Sequence, residues 1–135
     1  VRTRPKVLLM ASGIGITPMR ALLEELPQKP GDVTLVYRAH DESELIFVAE
    51  LSHLAADRGA RVVTVLGPRA TSRPSWLPAS AAHLSDVDAL RHLVPDLADH
   101  EVYVCGNPQW MELVADAARA GGVADAYIHL ERFTY

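Results

Sequence analysis

Apolar runs and amphipathic stretches alternate along this chain. Five short runs rich in valine, leucine, isoleucine or aromatic residues are typical of buried strands, and they lie at residues 6–11, 33–39, 60–66, 101–105 and 126–130. Between them, apolar residues recur at three- and four-residue steps, as on one face of a helix, at residues 18–26, 44–58, 87–93 and 108–120. This alternation predicts an α/β fold, a three-layer sandwich with helices on both faces of a five-stranded parallel sheet.

The connection after the first strand is rich in glycine. In sheets of this kind ligands bind beyond the carboxyl ends of the strands, where the strand order reverses. The connection reads SGIGITP, residues 12–18, and glycine permits positive φ and close approach of a ligand or another backbone. Thr17 is expected to cap the following helix and Pro18 to be its first residue. A glycine turn before a helix N-terminus favours a bound phosphate, and a tight turn without a ligand has the same pattern.

The connection after the fourth strand repeats this arrangement as Cys105-Gly106-Asn107-Pro108. We therefore expect the two glycine turns to form two walls of one cleft. Cys105 alone is typical of a small buried apolar residue, and a catalytic thiol would need a base nearby. The first turn has the pattern G-x-G-x-x-P rather than G-x-G-x-x-G, and the second strand ends Tyr37-Arg38-Ala39 without an acid. Both points disfavour a simple dinucleotide-binding dehydrogenase.

A polar, proline-rich connection at residues 67–80 is longer than usual for a compact domain. Such connections are often functional when they are ordered. Trp76 lies within it, and we expect this side chain to anchor the loop by packing rather than to contact a ligand.

Composition narrows the function classes. The 135 residues suit one domain, and a net charge of −4 without a basic patch disfavours nucleic acid as the partner. The single cysteine excludes an internal disulfide and fits a reducing compartment. The six histidines lack ligand spacing, so no metal site is expected. The chain begins at Val1 and soon enters an apolar run, which we interpret as one domain cut from a longer protein.

Three motifs in register resemble the nicotinamide-binding domain of the ferredoxin–NADP reductase family. They are ASGIGITP (11–18), VYVCGNP (102–108) and HLERF (129–133), supported by YRA (37–39) with ELIFVAEL (44–51) after it. The chain looks most like the reductase modules of bacterial ferric-reductase-like membrane oxidoreductases. The resemblance implies that the domain, residues 1–135, binds NADPH or NADH and presents it to FAD held by an upstream domain. The expected strand order is 3-2-1-4-5.

The resemblance also implies which residues bind the nucleotide. The pyrophosphate would lie over the first turn, at Gly13, Ile14, Gly15, Thr17 and Pro18. The nicotinamide would lie near the second turn, at Cys105, Gly106, Asn107, Pro108 and Met111, with Cys105 close to the ring carbon that gives up the hydride. The adenosine ribose and any 2′-phosphate would meet Tyr37, Arg38 and Arg69. These arginines, and the missing acid after the second strand, favour NADPH over NADH. Asp41 lies close by in the sequence and weakens this preference.

At the end of the chain, the resemblance implies a flavin contact. Phe133 matches the aromatic ring that stacks on the flavin in the family, and Tyr135 competes with it for this role. Glu131 precedes Phe133 by two residues, as in the family, and is a candidate for proton movement near the flavin or an ordinary charged terminal residue.

Other functions and partners remain open at this stage. One alternative is a non-catalytic, regulatory nucleotide-binding module, and another is a separate α/β enzyme of flavodoxin or methyltransferase type. The expected partner is the upstream FAD domain, with a possible membrane or haem domain in the parent protein. The expected location is the cytoplasm, or the cytoplasmic face of a membrane if the parent carries transmembrane helices.

Overall fold

Five parallel strands form the central sheet of the computed structural model, which describes residues 4–26 and 29–132. The strands are β1 (Val7–Ser12), β2 (Val33–Ala39), β3 (Arg61–Leu66), β4 (Glu101–Cys105) and β5 (Ile128–Glu131). Their order across the sheet is β3-β2-β1-β4-β5, and every neighbouring pair is parallel. The predicted fold class and strand order are confirmed.

Four helices cover the two faces of the sheet. They are α1 (Ile16–Glu25), α2 (Val48–Arg58), α3 (Asp86–Leu93) and α4 (Pro108–Ala120). Met19 of α1 and Leu51 of α2 belong to one apolar cluster, and Leu90 of α3 and Val114 of α4 belong to the other. The helices α1 and α2 therefore share one face, and α3 and α4 share the opposite face.

The alternation of side chains along the strands decides which layer each residue joins. In β1, Leu8 and Met10 pack with the α3/α4 cluster, whereas Leu9 and Ala11 pack with the α1/α2 cluster. Both sets are fully buried, as a parallel sheet covered on both faces requires. A strand that is apolar on both sides carries no sequence signal of which set faces which helices.

The start of α1 differs from the prediction. A short 3₁₀ turn over Gly13–Gly15 runs directly into the helix, so α1 begins at Ile16. Thr17 is therefore inside the first turn and does not cap it, which corrects the expected N-cap. Pro18 still lies in the first turn, where its missing N–H costs no intrahelical bond.

The start of α2 shows the largest shift from the prediction. The segment Glu42–Glu44 forms a separate 3₁₀ turn whose first N–H groups are held by Asp41, which accepts from Ser43 N at 2.8 Å. Phe47 then takes a left-handed conformation (φ 62°), and the helix begins at Val48 rather than Glu44. Gly59 ends α2 with φ 66°, as predicted for a C-cap glycine.

Within the described ranges, none of the helices has the length and apolar character needed to cross a membrane.

Candidate functional site

The two glycine turns contact each other at the carboxyl edge of the sheet. A Cβ on Gly15 would fall inside contact distance of the Cys105 carbonyl, and one on Gly106 would lie 3.0 Å from the Cβ of Ser12. Gly13 differs, because its Cβ position meets no atom within 4 Å and its φ of +56° is left-handed. The glycine pair thus has two separate causes: Gly13 permits the turn, and Gly15 permits the two turns to touch.

A two-part cleft lies over this contact. Its two pockets share Ser12, Gly13 and Asn107, and their volumes are about 300 and 440 Å³. We name the first the arginine pocket, and its other lining residues are Arg38, Ala39, His40, Glu44, Gly67, Arg69, Ala70, Pro74, Ser75, Trp76, Gln109, Trp110 and Leu113. We name the second the methionine pocket, and its other lining residues are Ile14, Gly106, Pro108, Met111 and Arg132. The cleft thus spans β1 and β4, where the strand order reverses, as predicted.

The arginine pocket is rich in charged and polar groups. Arg69 is exposed on its wall, and within the described ranges it forms no ion pair. Arg38, by contrast, is only 7% exposed; its Nε donates to the Trp76 carbonyl at 3.1 Å and its Nη1 to the Ala39 carbonyl at 2.5 Å. Burial lowers the pKa of Arg38, and the charge of Glu44 opposes that shift. The two arginines expected at one subsite therefore have different environments.

The methionine pocket is the more apolar of the two. Ile14 is 55% exposed, although it is a large apolar side chain. Met111 and Pro108 supply the facing side from the start of α4, and Arg132 adds one positive charge at the rim. This is the kind of surface on which a flat, weakly polar ring can pack.

The two helices that begin at the cleft differ at their first turns. In α4, Pro108 is the first residue and the Asn107 side chain accepts from Gln109 N at 2.9 Å, so one free N–H group is already satisfied. In α1, no side chain caps the first turn. The 3₁₀ turn at Gly13–Gly15 leads into α1 and its carbonyls accept from Ile16 N, so the N–H groups that begin this helical segment are those of the turn, at the junction of the two pockets.

The structure corrects the expected positions of two side chains. Tyr37 is 1% exposed in the α1/α2 cluster, and its hydroxyl accepts from Ile46 N at 3.1 Å, so it lines neither pocket. Cys105 is also 1% exposed in that cluster. Burial, and secondarily the charge of Glu131, raises the pKa of the Cys105 thiol. Cys105 therefore lines neither pocket, and its neutral thiol lies in the α1/α2 cluster.

The remaining predicted residues divide into three groups. Those brought together at the cleft are Gly13, Ile14, Arg38, Arg69, Gly106, Asn107, Pro108 and Met111. Gly15 lies under the cleft, and Thr17, Pro18 and the exposed Glu131 line neither pocket. Phe133 and Tyr135 lie outside the described residues, so their expected flavin contact stays a prediction.

Several cleft residues are absent from the sequence-based prediction, chiefly His40, Glu44, Ser75, Gln109 and Arg132, whereas Trp110, expected from the sequence either to line the cleft or to pack in the core, lines the arginine pocket. Gln109 directly follows Pro108, so its place in the first turn of α4 is a signal that could have identified it. Glu44 is the acid in the arginine pocket, whereas Asp41 is held by its own turn, and its hydrogen bonds with Ser43 lower its pKa. Trp76 is fully buried, which confirms the predicted packing; it also borders the arginine pocket, so the expectation that it does not contact a ligand stays a prediction.

Comparison with known proteins agrees with this arrangement. The family model of the oxidoreductase NAD-binding domain matches residues 9–116. The ferredoxin reductase component of 3-ketosteroid-9-alpha-monooxygenase from Mycolicibacterium smegmatis is 35% identical over 127 residues, covering 93% of this chain and 33% of that protein. A flavohemoprotein from Vibrio cholerae is 31% identical and covers 98% of this chain and 31% of its own length.

A solved structure extends the likeness to three dimensions. The flavohem-like FAD/NAD-binding domain of nitric oxide dioxygenase from Vibrio cholerae superposes with a TM-score of 0.74 at 28% identity, over 98% of this chain and 52% of that one. The chain spans about a third of the length of the curated relatives named above.

Proposed function

The chain belongs to the family of oxidoreductase NAD-binding domains, and from that premise we propose that it binds NADPH or NADH and holds it for hydride transfer to a flavin carried by another domain of the same protein. The observation that carries this proposal is the two-part cleft, whose halves meet at Gly13, in the 3₁₀ turn that leads into α1.

The cleft fits a dinucleotide in its chemistry. A dinucleotide has two ring systems joined by an anionic pyrophosphate, and the cleft has two pockets joined at a glycine turn. Each pocket has a volume in the range of small-ligand sites. At the junction, the open space above Gly13 and the N–H groups of the 3₁₀ turn would hold the pyrophosphate.

The arginine pocket would hold the adenosine end. Arg69 is the exposed cation there, and a guanidinium can bind a phosphate through two parallel hydrogen bonds. This supports NADPH as the preferred cofactor, with Arg69 at its 2′-phosphate. Glu44 favours NADH instead, because a carboxylate in the same pocket would accept a hydrogen bond from an unphosphorylated ribose.

The methionine pocket would hold the nicotinamide end. When bound, the nicotinamide supplies a hydride and the flavin of the other domain accepts it. Ile14, Pro108 and Met111 shield the ring from water and orient it. Cys105 does not line this pocket: its thiol is buried beneath the turn, and its carbonyl packs against Gly15.

The flavin domain is proposed to lie upstream in the parent chain. The relatives with reductase or flavohemoprotein names are about three times as long as this chain and so have room for such a domain. Phe133, with Tyr135 as the alternative, is proposed to stack on the flavin, and Glu131 to lie near it. A haem or membrane domain in the parent protein and a cytoplasmic location are further expectations of the same proposal.

The test is a calorimetric titration of the chain with NADPH, NADH and 2′,5′-ADP, followed by anaerobic flavin reduction in the full-length protein. We expect NADPH and 2′,5′-ADP to bind more tightly than NADH. Arg69→Gln should raise the Kd of the two ligands with a 2′-phosphate, NADPH and 2′,5′-ADP, about tenfold, close to the 1.4 kcal/mol of one lost charged contact. The Kd of NADH should rise less than twofold. The matched control is Arg91→Gln, an exposed arginine of α3 that lies outside both pockets.

The outcomes separate the parts of the proposal. Tighter binding of NADH, unaffected by Arg69→Gln, would contradict the NADPH preference and leave the dinucleotide site. Nucleotide binding without flavin reduction in the full-length protein would favour the regulatory module. Failure of every nucleotide to bind, both to the folded chain and to the full-length protein, would contradict the proposed function.

A further inference from the structure

The outer wall of the arginine pocket is the connection between β3 and α3, residues 67–85. It contains a single antiparallel bridge between Arg69 and Pro78 and a 3₁₀ turn at Ala79–Ala81. Regular backbone pairing therefore explains little of its shape. Side-chain hydrogen bonds, centred on Trp76, supply the rest.

One side of this loop is anchored on α3. Trp76 is fully buried, and its Nε1 donates to the Asp86 carbonyl at 3.0 Å. The Asp86 carboxylate accepts from Arg73 Nη1 at 2.8 Å and from Ser75 Oγ at 2.5 Å. The loop residues just before and at Trp76 are thus tied to the first turn of α3.

The other side of the loop is anchored on the sheet, through the carbonyl of Trp76. Arg38 Nε donates to that carbonyl at 3.1 Å from the end of β2, and Trp110 Nε1 lies 3.4 Å from it on α4. Arg38 Nη1 donates at 2.5 Å to the Ala39 carbonyl, which also accepts from Gly67 N at 3.2 Å. One guanidinium therefore holds the loop at its beginning, through Ala39 and Gly67, and at Trp76.

Burying the guanidinium of Arg38 without a carboxylate partner costs solvation free energy. The guanidinium is 7% exposed, and among the described residues no carboxylate lies within ion-pair distance of it. Its two carbonyl acceptors provide hydrogen-bond partners for its N–H groups, but they do not neutralise its charge. The position requires a side chain that donates to two carbonyls at once. Arginine has a planar fork of N–H donors, whereas a lysine ammonium is a single point of donation and does not span two carbonyls in the same way.

We propose that Arg38 is a positioning residue of the nucleotide cleft, which holds the loop from Gly67 to Pro78 in the shape that forms the outer wall of the arginine pocket. This inference rests on the proposed function for the identity of the ligand. It differs from the expectation that Arg38 itself binds the 2′-phosphate. A wall that shapes the whole pocket affects NADH and NADPH alike, whereas a phosphate ligand affects NADPH alone.

The test compares Arg38→Met and Arg38→Lys in the full-length flavoprotein, with Arg91→Met as control. Arg91 also donates to a main-chain carbonyl, that of Ala120 at 3.1 Å, but lies outside the cleft. The measurements are stopped-flow flavin reduction, which separates nucleotide affinity from the limiting rate, and hydrogen exchange of the amides at residues 67–78. A second variant, Trp110→Phe, removes the other donor to the Trp76 carbonyl and serves if Arg38→Met does not fold.

For Arg38→Met we expect the Kd of both NADH and NADPH to rise tenfold or more, with a limiting rate within twofold of wild type. Exchange at residues 67–78 should accelerate tenfold or more, while exchange in β1 and β4 is unchanged. Arg38→Lys should lie between Arg38→Met and wild type, Trp110→Phe should act in the same direction to a smaller extent, and Arg91→Met should match wild type.

Three results would overturn the inference. A loss confined to NADPH, with normal exchange in the loop, would make Arg38 a direct phosphate ligand. Unchanged affinities would show that the loop does not need it. Exchange that accelerates evenly through the whole domain would show a purely structural role. If wild type binds neither nucleotide, the proposed function fails, whereas the exchange measurement still decides whether Arg38 holds the loop.

Discussion

The two walls of the cleft are built by different means. The wall formed by the glycine turns depends on close contact at the two glycines, of Gly15 with the backbone carbonyl of Cys105 and of Gly106 with Ser12 and the Trp110 side chain. The wall formed by residues 67–78 depends on side chains that donate to carbonyls, chiefly Arg38, Trp76 and Trp110. Close backbone contact tolerates no added atom, whereas a network of side-chain bonds can lose one member and keep the others. A single substitution in the first wall should therefore cause a large loss of stability, and one in the second wall a smaller loss.

The largest effect should come from Gly15→Ala. Its new methyl group would overlap the Cys105 carbonyl, so the two turns must separate. We expect a loss of about 3 kcal/mol in the free energy of unfolding, the upper part of the range for overpacking. Urea unfolding followed by tryptophan fluorescence measures it.

Gly13→Ala is the control for that variant. Its methyl group meets open space, and only the left-handed φ of +56° opposes it, at a cost of about 1 kcal/mol. Equal losses at the two positions would contradict the contact between the turns as the special requirement at Gly15, whose φ of −59° suits any residue.

A smaller effect is expected in the loop wall from Asp86→Ala. This change removes the acceptor of Arg73 and Ser75 but leaves the Arg38 and Trp110 bonds to Trp76. We expect a loss of about 2 kcal/mol, as for a partly buried acceptor whose donors lose their partner. The same urea titration measures it, with nucleotide affinity as a second readout.

Asp88→Ala provides the matched control, because Asp88 lies in the same turn of α3 with 69% of its side chain exposed. Its loss should stay within about 0.5 kcal/mol. If Asp86→Ala abolished folding while Asp88→Ala was neutral, the loop wall would be as intolerant as the glycine wall, and the contrast between them would be lost.

The smallest effect concerns the thiol beneath the glycine wall. Burial raises the pKa of Cys105 above its ordinary value of 9.0. In alkaline solution the native state therefore keeps a proton that the unfolded chain has released, and stability falls as pH rises past about 9. Unfolding titrations between pH 7 and 10 should show wild type losing stability relative to Cys105→Ala. An advantage of wild type that grew with pH would indicate a depressed pKa and a reactive thiol.

Much of the architecture was predictable because the signals are local. Alternating apolar runs and helical periodicity identified the strands, and Gly59 marked the end of α2. The start of α2 was missed because Asp41 caps a separate turn and Phe47 adopts a left-handed conformation, which a continuous helical pattern conceals. At the cleft, Gly13, Gly106 and Pro108 of the two turns were identified, since turn chemistry is also local.

The sequence by itself therefore determined the order of elements, the two glycine turns and their likeness to a nicotinamide-binding domain. Only the tertiary structure decided which side chains reach the cleft. In a strand that is apolar on both faces, the alternation of side chains does not show which face each residue joins. In the folded protein, Tyr37 and Cys105 face α1 and α2, and Arg38 lies beside Trp76. The roles of Arg38 and Gly15 depend on carbonyls distant in sequence, at Trp76 and Cys105, which meet them only when the sheet brings its strand ends together.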